Sequence, residues 1–147
     1  MSSRLWTALI GLETAAVAVV GYFLFVATAD PQTAQNLAGR DLYLANCAKC
    51  HGVNLEGQPD WKERNENGRL PAPPHNETGH TWHHSDKQLF MITKFGLEVI
   101  APGYESDMPA FGEVLSDDEI RAILDYIKST WPERPRTYQA ERSRSDR

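Results

Sequence analysis

Apolar residues are distributed in four blocks along the chain, and each block has its own periodicity. The first, residues 5–29, reads LWTALIGLETAAVAVVGYFLFVATA and is broken only by Glu13. A run of this length predicts a single membrane-spanning helix, because about 20 apolar residues cross a hydrocarbon core. Glu13 is expensive in a lipid-facing span, which places it near an interface or against a partner helix. The rival reading is a signal peptide cut after Ala29, where small residues Ala27 and Ala29 suit the cleavage site. The weakly basic start, Arg4 alone, favours retention as an anchor. Either reading exports the domain that begins after residue 29.

A polar linker is expected at 30–35, and then a helix from Asn36 to Cys47. That helix carries Leu37, Leu42, Tyr43 and Leu44 as apolar surface, with Gly39 in its interior. Glycine there costs about 1 kcal/mol relative to alanine, so its presence predicts a close helix approach. Residues 52–84 are rich in Gly, Pro and Asn and predict a long ordered loop with a short turn at Asp60–Arg64. Leu70-Pro71-Ala72-Pro73-Pro74 excludes helix there. A third block begins at Ser85, which forms a capping box with Gln88, runs through Leu89, Phe90, Ile92 and Phe95, and stops at Gly96. A loop spans Leu97–Gly112. The fourth block is the strongest: Ser116 and Glu119 form a second capping box, and Ile120, Ile123, Leu124, Ile127 and Trp131 share one helical face. Pro132 ends it. The tail, 132–147, is polar and predicts disorder. No stretch alternates as a strand would, so the fold class expected is all-α.

Charge narrows the function. Residues 30–131 carry 9 Lys and Arg against 16 Asp and Glu, a net of −7, whereas the tail 132–147 is net +2. An acidic globule argues against nucleic acid, which calls for a basic face. The two cysteines lie three positions apart and cannot form a disulfide framework.

They stand in Cys47-Ala48-Lys49-Cys50-His51, the attachment pattern of a c-type haem. Two thiols about one helical turn apart reach the two vinyl groups on one porphyrin edge and become thioethers. His51 then offers an imidazole nitrogen to the iron. Two rivals exist. A thioredoxin-like redox pair requires a preceding strand, and none is expected. A zinc site would take Cys47 and Cys50 with His80 and His84. The second axial ligand is expected from Met108, in a loop where Pro109 keeps the backbone extended; Met91, His75, His80, His83 and His84 compete. Met1 lies on the wrong side of the anchor. The segment Gly79-His80-Thr81-Trp82-His83-His84 has two readings: a loop packing Trp82 over the haem edge, or a second metal site for copper or zinc. Arg69, Trp61 and Trp82 are candidate partners of the haem propionates.

Cys47–His51, the helix bearing Gly39 and Tyr43, Met108-Pro109-Ala110-Phe111 and the closing helix Leu115–Trp131 together resemble a class I cytochrome c over about residues 36–131. The resemblance implies a compact helical domain around one covalent haem c, with first and last helices crossing where Gly39 and Tyr43 meet Leu124, Tyr126 or their neighbours. It implies that a proline carbonyl, Pro71 or Pro73, accepts the ring N–H of His51. It implies an electron carrier and not an enzyme, with His51 and Met108 filling both axial positions and no small-molecule substrate. The expected location is the inner membrane, single-pass, with the haem domain on the periplasmic side. The expected partners are a quinol-oxidising complex, a terminal oxidase or a dehydrogenase. The alternatives are a haem subunit of a larger oxidoreductase, a haem enzyme or gas sensor with Met108 unbound, and a Cys/His zinc or copper domain.

Overall fold

A computed structural model describes residues 30–146, and the expected membrane-spanning segment, 1–29, lies outside the described residues. Among the described residues no helix is long and apolar enough to cross a membrane. They contain five α-helices and no strand: α1 (Pro31–Asn46), α2 (Ala48–His51), α3 (Asp86–Phe95), α4 (Asp117–Ser129) and α5 (Glu133–Ser145). Two short 3-10 turns, Thr81–His83 and Leu97–Val99, interrupt the connecting loops. Among the described residues, 35–146 form one unit, and the Cys47–His51 motif lies within it.

The two capping boxes form as the sequence requires. Ser85 accepts from the Gln88 N–H at the head of α3, and Ser116 accepts from the Glu119 N–H at the head of α4. Gly96 ends α3 with a positive φ of 88°. The first helix begins earlier than expected, within what reads as a linker. Asp30 explains this: its carboxylate accepts from the Gln32 N–H at 3.1 Å, its carbonyl from the Ala34 N–H at 3.2 Å. Pro31 then sits at the first helical position, where its missing N–H is no loss.

α1 and α4 cross at the glycine. A Cβ on Gly39 would lie 2.2 Å from the Ala122 carbonyl oxygen, so only glycine allows the two backbones to approach this closely. One turn on, Tyr43 is fully buried and its ring lies 5.6 Å from that of Tyr126. The buried face of α4 is Ile120, Ile123, Leu124 and Ile127. A fully buried aliphatic side chain contributes roughly 1.5–3 kcal/mol. The core is completed by Leu55, Leu89, Leu115 and Trp131.

The tail corrects the sequence reading. Residues 133–145 are helical, not disordered, and α5 packs on the Thr81–His83 turn and on α3. Its fastening is polar. Gln139 is buried and its amide donates to the His84 carbonyl at 3.3 Å and to Asp86 Oδ1 at 2.9 Å. The Ser143 hydroxyl accepts the Asp86 N–H at 2.9 Å, and the Ser85 hydroxyl donates to Asp146. Hydrophobic periodicity is silent about a helix held this way.

Replacing Gly39 with alanine forces α1 away from α4. Overpacking of this kind costs about 1–3 kcal/mol. Urea unfolding of Gly39→Ala should show a lower midpoint at unchanged slope; an unchanged midpoint would mean that the crossing is looser than described.

Candidate haem site

The Cys-x-x-Cys-His segment sits where α1 gives way to a single further turn. The Cys47 N–H still reaches back to the Tyr43 carbonyl, at 2.8 Å, and the Cys50 and His51 N–H groups both donate to the Cys47 carbonyl, at 3.1 and 3.0 Å. The two thiols are therefore one helical turn apart, Cys47 half-buried and Cys50 exposed. Burial pushes the Cys47 thiol up to about 11, with the neighbouring Cys50 adding to the effect. That is the reverse of a thioredoxin-like pair, whose attacking thiol is acidic.

His51 is buried, and its Nδ1 lies 2.8 Å from the Pro73 carbonyl oxygen. A carbonyl only accepts, so Nδ1 carries the proton and Nε2 has a lone pair to offer a metal. Burial lowers the pKa of His51, against the opposing effect of the Pro73 hydrogen bond, and the ring is kept neutral. Of the two prolines expected for this role, the structure selects Pro73.

The loop delivers that carbonyl through a set of backbone constraints. The Gly57 N–H donates to the His51 carbonyl at 2.8 Å, and Gln58 pairs with Ala72 through its N–H and side chain, at 2.9 and 2.8 Å. Gly57 has φ +71°, and a Cβ there would lie 2.5 Å from the Pro74 nitrogen. Leu55 is held at φ 66°, a left-handed conformation costly for a leucine, while its side chain is buried. In that conformation its carbonyl accepts from the His75 N–H at 2.8 Å. Tyr43 closes the near side, its hydroxyl donating to the Gly52 carbonyl at 2.7 Å.

Met108 lies, partly buried, in the loop before Phe111, its N–H donating to the Ser106 hydroxyl at 3.1 Å. The end of that loop is stapled to α3: Phe111 N–H to the Thr93 carbonyl and Gly112 N–H to the Lys94 carbonyl, both 3.0 Å. Its start is tied to the proline loop by Arg69, which pairs with Asp107 and lies 3.7 Å from Glu105. Arg69 thus bridges the segment that carries Pro73 and the segment that carries Met108. Its Nε, the atom that faces Glu105, makes no close hydrogen bond. With the neutral His51 and the paired thiols, the residues fit a covalently bound haem.

The aromatic and histidine segment is packed by ring contacts within the loop and to α5. The Trp82 indole donates to the Glu77 carbonyl at 3.3 Å, and its ring packs edge-on against Tyr138 of α5, 5.4 Å away. Trp61 stacks on His80 at 5.5 Å, and His80 meets His84 edge-on at 5.6 Å. Among the described residues no three His, Cys, Asp or Glu side chains gather as a metal site. This corrects the zinc reading of Cys47, Cys50, His80 and His84, and the copper or zinc reading of the histidine cluster. Met91, the competing methionine, is partly buried within α3.

Sequence reasoning missed His75 as a neighbour of His51. The two rings stack with centroids 3.9 Å apart. Burial, with His51 and then His80 beside it, holds the His75 pKa well below its ordinary value. The only signal in the sequence was its position directly after Pro73-Pro74.

The family model described as Cytochrome c matches residues 37–131. A protein of Stutzerimonas stutzeri named nitrite reductase is 28% identical over 123 residues, covering 79% of this chain. This chain spans 20% of the length of that relative. No solved structure matches the chain at a significant level. The family carries covalent haem c and points to haem-based electron transfer between redox proteins, and the spacing of Cys47 and Cys50 fits its attachment motif. By the match over residues 37–131, the chain belongs to the cytochrome c family and binds haem c.

Proposed function

We propose that this protein is a one-electron carrier whose single haem c is joined to Cys47 and Cys50 by thioether bonds and whose iron is held by His51 and Met108. The observation that carries the reading is the buried, neutral His51 with Nδ1 committed to the Pro73 carbonyl and Nε2 left for the metal. The haem supplies reversible ferrous–ferric chemistry; the protein supplies ligand identity, burial and hydrogen bonding, which set the potential. Met108 as second ligand is supported by its partly buried loop, fixed at one end to α3 and joined by Arg69 to the proline loop. With both axial positions filled there is no open coordination site for a substrate, so the chain passes electrons and catalyses nothing itself.

The apolar run at 5–29 supports a membrane anchor, with the haem domain on the periplasmic side of the inner membrane. A carrier tethered by a short segment has a high effective concentration beside membrane partners and limited reach. That favours a quinol-oxidising complex, a terminal oxidase or a membrane dehydrogenase as donor or acceptor.

One observation favours a second reading. The relative named nitrite reductase is matched over only a fifth of its length, as a haem domain within a larger enzyme would be. On that reading this chain delivers electrons inside a complex, as its haem subunit. Purification of the tagged full chain from mildly solubilised membranes separates the two: a stoichiometric catalytic subunit supports the second, a lone haem protein the first.

Carbon monoxide tests the ligands. The reduced protein should not bind it, and Met108→Ala should bind one molecule per haem, with the haem still attached. Carbon monoxide binding by the unaltered protein would contradict Met108 ligation.

Acid tests the neutral imidazoles. Burial lowers the pKa of His75 from 6.5, as it does for His80 and His84. Below 6.5 the unfolded chain takes up protons that the folded chain refuses, so stability is full above that value and declines as pH falls. The urea midpoint should be lower at pH 5 than at pH 7.5; an equal or higher midpoint at pH 5 would contradict the buried neutral state.

A further inference from the structure

Ligation by His51 does not by itself account for the second imidazole that lies against the first. The ring of His75 stacks on that of His51 with centroids 3.9 Å apart and planes inclined by 22°. It is fixed from several directions. Its backbone N–H donates to the Leu55 carbonyl at 2.8 Å, and its own carbonyl accepts the Trp131 indole N–H at 2.7 Å. Its Nδ1 lies 2.8 Å from the Thr81 hydroxyl. That hydroxyl donates to the Pro74 carbonyl at 3.4 Å, so its oxygen accepts, and the network assigns the His75 proton to Nδ1. Tyr43 meets the ring edge-on at 6.3 Å.

This arrangement supplies something the Pro73 hydrogen bond cannot. A bond at one nitrogen fixes a direction, but the imidazole plane can still turn about that direction. A flat ring against its face removes the remaining freedom and keeps water from the same face. The stack therefore acts on two properties of an axial ligand: the angle of its plane and the polarity around it. A wetter surround stabilises the more charged ferric state and lowers the potential.

We propose that His75 is a positioning residue, a flat ring anchored by Thr81 that sets the plane of the axial imidazole and keeps its face dry, raising the potential of the haem. The inference rests on the assignment of His51 as iron ligand. It predicts that planarity and anchoring matter more than any charge on His75.

The test uses the full chain with haem attached, as unaltered protein, His75→Ala, His75→Phe and Thr81→Val. A pyridine haemochrome on the unaltered protein comes first: without covalent haem the ligand assignment fails, and the role of His75 is overturned with it. With haem present, His75→Ala should lower the midpoint potential by a threefold or greater shift in the ferric–ferrous equilibrium, about 28 mV at roughly 59 mV per tenfold for one electron. It should also change the hyperfine-shift pattern of the His51 ring in the ferric NMR spectrum. His75→Phe, flat and apolar, should restore both towards the unaltered values. Thr81→Val should alter the hyperfine pattern in the same sense as alanine but less. An alanine variant with unchanged potential and spectrum overturns the proposal, as does a phenylalanine variant that restores neither. If the alanine variant fails to accumulate, an unchanged Thr81→Val spectrum overturns it instead.

Discussion

The hydrogen bond from His51 Nδ1 to the Pro73 carbonyl organises the rest of the site. It fixes the tautomer, leaves Nε2 with a free lone pair, and demands that a carbonyl 22 residues away arrive beside a buried ring. The long loop exists to meet that demand. Proline at 71, 73 and 74 stiffens it, Gly57 lets it come close, and Leu55 accepts a left-handed backbone so that its carbonyl can hold His75. Strain of this kind persists only where surrounding contacts over-determine it. Here the surroundings are Tyr43, Trp131 and the turn at Thr81.

Those surroundings connect the site to both ends of the described fold. Tyr43 links the Gly52 carbonyl to the α1–α4 crossing. Trp131, at the end of α4, donates its indole proton to His75. α5 packs on the turn that carries Thr81, the residue that anchors the His75 ring. A substitution at the helix crossing or in the last helix can thus reach His51 without touching it. Arg69 plays the equivalent part on the other side, joining the proline loop to the Met108 loop through carboxylates on the surface. Exposed ion pairs of this sort contribute little to stability; the effect of Arg69 is on geometry.

How far the chain reveals its structure depends on whether each feature has a local cause. α3 and α4 are legible because their signals are local: a capping serine, a matching Gln or Glu, and an apolar stripe. Gly39 is legible because glycine in a helix has few other uses. The attachment motif is legible because its spacing is set by the porphyrin. α5 is not, since a polar helix fastened by Gln139, Ser143 and Asp146 carries no hydrophobic pattern. Trp82 meets Tyr138, and that contact is illegible because Tyr138 belongs to a tail that reads as structureless. The missed helix and the missed contact have one cause. His75 reads as a rival ligand because a histidine near a haem motif suggests iron; its place beside His51 depends on a loop geometry that no local pattern encodes.

The Cys47–His51 motif calls for one haem at one place in the chain. A mass map of the denatured, digested protein tests this most directly, because denaturation releases any haem not held by covalent bonds. The peptide containing Cys47–His51 should carry the mass of one haem, and every other peptide should be unmodified. A haem-free Cys47–His51 peptide from fully matured protein, or haem on any other peptide, would contradict the account.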